Sequence, residues 1–156
     1  MANHRTSGYL SHTPENVSVA DRLRALSTGA KLVLFAGVLL FCSLFLTWQT
    51  LEISYGRTAT ATEMQDGWDV WGLLIGAVAV AVVTLVVIVH ATDVDISPDV
   101  PWEGLVLGLC ALLLGLTVLK NVTDADSAWV SYLAVVLAAV AVAGAYLDWS
   151  RARALS

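Results

Sequence analysis

Four long stretches of this chain, residues 32–48, 70–89, 105–119 and 128–147, contain no Asp, Glu, Lys, Arg or His. Ionisable groups inside membrane spans mark proton relays, ion paths and membrane catalysis. Their absence argues against a proton-coupled exporter, which needs a carboxylate in its spans. Cysteine is equally scarce. Cys42 and Cys110 are the only two, each lies mid-stretch, and they form neither a Cys-x-x-Cys motif nor a metal-ligand spacing. A thiol oxidoreductase needs a reactive pair near the membrane face, so both read as small packing residues. A disulfide between them requires their Cα atoms to come within about 7 Å.

Charge excludes more. The net charge is −5 and lysine occurs only as Lys31 and Lys120, so there is no basic patch for nucleic acid. The His and Asp clusters of metal-dependent membrane hydrolases and lipid-head transferases are absent. Asp93, Asp95 and Asp99 share one loop, but without the glycine turn and closing glutamate of a calcium-binding EF-hand. They read as a solvated loop. The expectation is a non-enzyme with no catalytic residue, no cofactor and no metal.

What is present is hydrophobic length. A bilayer core takes about 20 apolar residues of helix, within roughly 17–25. The first, second and fourth stretches meet that. The third does so only with Trp102–Gly104 and Lys120 in the interface. The reading is an all-α membrane protein, a four-transmembrane-helix bundle with spans at about 32–48, 70–89, 103–120 and 128–147 inside a membrane domain of residues 31–150. All six tryptophans sit at the stretch edges, where indole is half buried and its N–H meets water or lipid oxygen. Trp48, Trp68, Trp71 and Trp129 are expected as anchors on the outer side, Trp102 and Trp149 on the inner side. Basic residues set orientation. Arg5, Arg22, Arg24, Lys31, Arg151 and Arg153 against Arg57 and Lys120 place both termini in the cytoplasm. The inner loop with its three aspartates fits this poorly; the flanks of the first and last spans decide it.

Between the spans the chain gives local signals. Residues 1–17 are polar and read as a disordered cytoplasmic tail, unlike a signal peptide; residues 151–156 form a second tail. Ser18 and Asp21 suit a helix start, and Val19, Leu23, Leu26 and Ala30 share one face with Arg22 and Arg24 beside it. This predicts an amphipathic interfacial helix over 18–30. In the outer loop, 51–55 and 58–62 alternate around Gly56-Arg57 and predict a short β-hairpin. Asp69 is placed to cap the second span. Pro101 suits the first turn of the third.

Helix association in lipid relies on close backbone packing, so interfaces collect small residues. Gly72 and Gly76, followed by Ala79, share a face of the second span. Gly104, Gly108, Ala111 and Gly115 share one on the third. Ala134, Ala138, Ala141 and Ala145 share one on the fourth, since spacings of three and four keep residues together. Packing within one bundle explains such faces; the third span's is also the one best suited to meet another subunit.

Phe45-Leu46-Thr47-Trp48-Gln49 and Gly67-Trp68-Asp69-Val70-Trp71-Gly72 resemble the corresponding segments of uncharacterised small four-span integral membrane proteins of actinobacteria. These have a short Arg-rich run-in, a Phe-Leu-x-Trp exit from the first span and a Gly-Trp entry to the second. The resemblance implies an architecture and a host, with no activity or functional residues to carry over. The expected role is an accessory or scaffolding subunit of a plasma-membrane complex. Its partners would be the lipid bilayer and other membrane proteins or a second copy. The alternative is a small oligomeric channel or carrier, and a weaker one an envelope sensor using the outer loop.

Overall fold

Ser27 opens the helix Thr28–Ser43, its hydroxyl accepting the amide of Ala30 at 2.9 Å. The computed structural model describes residues 21, 24–55, 59–91, 100–124 and 127–155. Helix α1 (Thr28–Ser43) leads into strands β1 (Thr47–Tyr55) and β2 (Ala59–Asp66). Helices α2 (Val70–Ala91), α3 (Trp102–Thr123) and α4 (Trp129–Leu155) follow. Each helix packs on its neighbours in the chain and α4 returns onto α1, so consecutive helices run up and down around one core. The chain is mostly helical, and α2, α3 and α4 are each long and apolar enough to cross a membrane.

The lengths differ from the sequence expectation at two helices. α3 has 22 residues and is not the short one. α1 has 16, about 24 Å at 1.5 Å per residue. The apolar run 32–48 is helical only to Ser43. Hydrophobicity alone does not separate buried helix from buried strand, and here tight turn bonds end the helix: Leu44 N–H to Phe41 O at 3.2 Å and Leu46 N–H to Ser43 O at 3.0 Å. Trp48 Nε1 then donates to Ser43 O at 2.7 Å, satisfying one of the carbonyls a helix end leaves open.

β1 and β2 form an antiparallel pair running from Tyr55↔Ala59 to Thr47↔Asp66, with a bulge between Thr47 and Gln49. The hairpin is longer than the predicted arms because its base is tied to the helices. Gly67 N–H reaches Leu44 O at 2.9 Å and Ala128 N–H reaches Trp48 O at 2.7 Å. Gln49 also bridges to Ser127. An isolated hairpin is marginal; this one is held at both sides of its base.

The core has two layers. Toward the hairpin, Leu40, Leu44, Trp48, Ile75, Leu113 and Ala138 pack together. Toward the other end, Ala30, Val33, Val82, Val86, Cys110 and Ala141 do. There α1 and α4 approach closely. A Cβ on Gly144 would stand 2.8 Å from Gly29 O and 2.9 Å from Leu32 Cβ, and Ser27 Oγ donates to Asp148 Oδ2 at 2.6 Å. The segment before α1 is helical at Asp21, Arg24 and Ala25 but breaks at Leu26-Ser27, so Ala30 belongs to α1 rather than to an interfacial helix ending there. The tail 1–17, residues 18–20, Arg22, Leu23, the Gly56-Arg57 turn, the loop aspartates 93, 95 and 99, and Ser156 lie outside the described residues.

Candidate functional site

Two features stand out from ordinary bundle packing. The first is a buried cation at the hairpin end. Lys120, on the last turns of α3, is 1% exposed. Its Nζ donates to Asp69 Oδ2 at 2.6 Å and pairs with Asp124 Oδ2 at 2.9 Å. It also lies 5.6 Å from the centre of the Trp48 ring, within cation–π range. Asp69 works at both oxygens, since Oδ1 accepts the amide of Gly72 at 2.7 Å and so caps α2. Lys120 therefore joins the start of α2, the end of α3 and the start of β1 at one point. Taking an ion out of water costs several kcal/mol, about as much as pairing returns only when geometry is good. Here Asp69 supplies a hydrogen bond, while Asp124 and the Trp48 ring add charge and aromatic contact. The buried ammonium, held between two carboxylates, ties these elements together as a clasp.

The second feature is an uncovered face on α3. Gly108, Ala111 and Gly115 are exposed, and a Cβ built on Gly108 or Gly115 would meet nothing within 4 Å. Gly104 is half-buried, with its nearest neighbours Pro101 Cβ at 3.9 Å and Trp149 Nε1 at 4.0 Å. Beside the face runs an apolar groove of about 630 Å³, lined by Ala111, Gly115, Val118, Leu119 and Val142 among others.

The other small residues sit differently. Gly72 and Gly76 are buried, Gly76 beneath Leu44 and Trp68. Ala134, Ala138, Ala141 and Ala145 are all buried in the bundle. Sequence reading overlooked Gly29 and Gly144, the pair at the closest helix approach. Spacing with neighbouring small residues was the available signal, since Gly144 directly precedes Ala145. It also read Lys120 as an interfacial residue and a topology marker, although Asp124 four residues later gave a helical ion-pair signal.

The tryptophans separate into groups. Trp48 is corrected: it is fully buried, because its indole N–H closes α1 and its ring covers Lys120, and so it is no exposed anchor. Trp129 is 70% exposed. Trp68, Trp71, Trp102 and Trp149 are half-buried. Trp68 meets Phe45 edge-on at 5.1 Å, and Trp149 takes the Arg153 guanidinium at 4.1 Å from its ring centre. Cys42 is exposed and Cys110 buried, both as free thiols. Among the described residues, no three His, Cys, Asp or Glu side chains gather where they could hold a metal ion. No protein-family model, characterised protein or solved structure matches the chain.

Proposed function

We propose that the chain is a non-catalytic integral protein of the plasma membrane, a bundle of four spans that serves as an accessory or scaffolding subunit of a membrane complex. The uncovered face of α3 carries this reading. Glycine weakens a helix relative to alanine by about 1 kcal/mol, so a bare row of it has no intramolecular return. Small residues let a second helix approach closely in lipid, and a partner helix supplies what the bundle does not. Apolar length in α2, α3 and α4 and the charge-free stretches support the membrane setting. α1 makes the fourth span, with its ends drawn toward the interface. Arg24, Lys31, Arg151 and Arg153 gather at the end away from the hairpin, and the bias of basic residues toward the cytoplasm puts both termini inside and the hairpin outside.

A second reading uses the same face. If the occupant is another copy, a small oligomeric channel or carrier follows, with its path between chains. Gentle extraction at native expression, crosslinking and mass spectrometry separate the two. A stoichiometric partner crosslinked along α3, and lost in Gly108→Leu at unchanged expression, is the expected result. Self-crosslinks alone, with solute flux in liposomes, favour the channel. Unchanged association in Gly108→Leu removes the α3 face from both readings.

A further inference from the structure

The face of α1 turned away from the bundle has a composition of its own. Thr28, Lys31, Phe35 and Val38 follow at spacings of three, four and three, which aligns them. With Leu26 and Leu34 they line a groove of about 610 Å³. Phe35 and Val38 are exposed at 65% and 47%, and the groove walls are otherwise apolar. Its one charged lining residue is Lys31 at the end away from the hairpin. Lys31 Nζ donates to Arg24 O at 2.8 Å, using one of the three donors an ammonium carries. The Arg24 side chain on the same segment is solvent-exposed, and Asp21 is a distant partner at 3.8 Å. Asp148 lies on the other side of α1, against Ser27 and the buried Gly29 face, so it does not face the groove.

We propose that this groove is a binding site for one anionic phospholipid. Its phosphate group sits between Lys31 and Arg24, and an acyl chain lies along Phe35 and Val38. The inference rests on the membrane setting proposed above. Charge complementarity selects the occupant. A zwitterionic headgroup offers these two cations no net charge, whereas an anionic one gains roughly 1 kcal/mol per basic residue near the surface, or about fivefold. α1 is also the shortest of the four helices α1–α4, at 16 residues, and Lys31 stands only one turn inside its start. Its ammonium therefore reaches outward along the groove to phosphate depth, as lysine does near span ends.

The test reconstitutes the full chain in nanodiscs of phosphatidylcholine with a minor fraction of phosphatidylglycerol. Lipid retained after release is counted by native mass spectrometry. One phosphatidylglycerol kept in preference to phosphatidylcholine is expected, weakened about fivefold in Lys31→Gln and further in Lys31→Gln/Arg24→Gln. Val38→Trp fills the groove while keeping both cations, and it should also lose the bound lipid. Equal retention of both lipids by the wild type, or a preference that survives the double variant, overturns the site. Retention in Val38→Trp overturns the groove as its seat. Vesicle flotation separates the two levels of failure. A chain that does not float removes the membrane setting itself, while one that floats without lipid preference removes this inference alone.

Discussion

The two faces of α3 reverse the usual expectation. Turned inward are Val106, Cys110, Leu113, Thr117 and Lys120, all buried and spaced four, three, four and three. Turned outward are Gly108, Ala111 and Gly115. The charge is inside, and the glycines are outside, set among exposed Leu112, Val118 and Leu119. On α4 the same kind of stripe, Ala134, Ala138, Ala141 and Ala145, is covered by the bundle. Small residues at helical spacing therefore mark a surface fit for close approach without saying which helix approaches it. What decides is the neighbour. α4 lies between α1 and α3 and presents its alanines to both; α3 has spent its inward side on larger groups.

The inward face can be broken most severely at Lys120. Lys120→Met leaves Asp124, whose side chain is 10% exposed, and Asp69 without their cation. Removing one partner of a buried pair costs about 3–5 kcal/mol, so thermal unfolding in mild detergent should shift strongly downward. The triple variant Lys120→Met/Asp69→Asn/Asp124→Asn should recover much of the loss. No charge is then left unpaired, and the side-chain carbonyl that replaces the Asp69 carboxylate can still cap α2. Wild-type unfolding in the single variant would show that the clasp contributes nothing.

That clasp also shows where sequence reading stopped. The helical class and the apolar elements were legible because charge-free runs of this length have few alternatives. The hairpin was legible from alternation around Gly56, and the Asp69 cap from its place before Val70. The end of α1 was not. Leu44, Phe45 and Leu46 are as apolar as the helix before them, and the turn bonds there are joined by bonds from Trp48 and Gly67 to Ser43 and Leu44, which no local pattern announces. Trp48 and Lys120 were misread for one reason. Both types favour interfaces on average, but Lys120 is bound to Asp69 and covered by the Trp48 ring, partners distant in sequence that leave no local pattern; Asp124, four residues after Lys120, was the one local sign. The direction of the α3 stripe was likewise beyond reach, since periodicity defines a face without naming what it meets.

A milder change compares two glycines in two settings. At Gly144 an added methyl must fit against Gly29 O and Leu32 Cβ, at 2.8 and 2.9 Å. α1 and α4 would have to part, and overpacking of this kind costs about 1–3 kcal/mol. Gly144→Ala should therefore lower the unfolding temperature in detergent. A neutral result would mean that the α1–α4 contact yields without cost and that the closest approach in the bundle is not a constraint.

The smallest effect has the opposite sign. Gly115→Ala makes the same substitution on the bare face, where a Cβ meets nothing within 4 Å. With no clash to offset it, the gain is that of alanine over glycine in a helix interior, about 0.5–1 kcal/mol. The unfolding temperature of the isolated chain should rise slightly. A fall would place an unseen neighbour against α3 even in the isolated chain, and the contrast between the two stripes would collapse. A rise combined with weakened partner crosslinking would sharpen it, because a glycine that lowers the stability of its own helix would then be accounted for by the helix it admits.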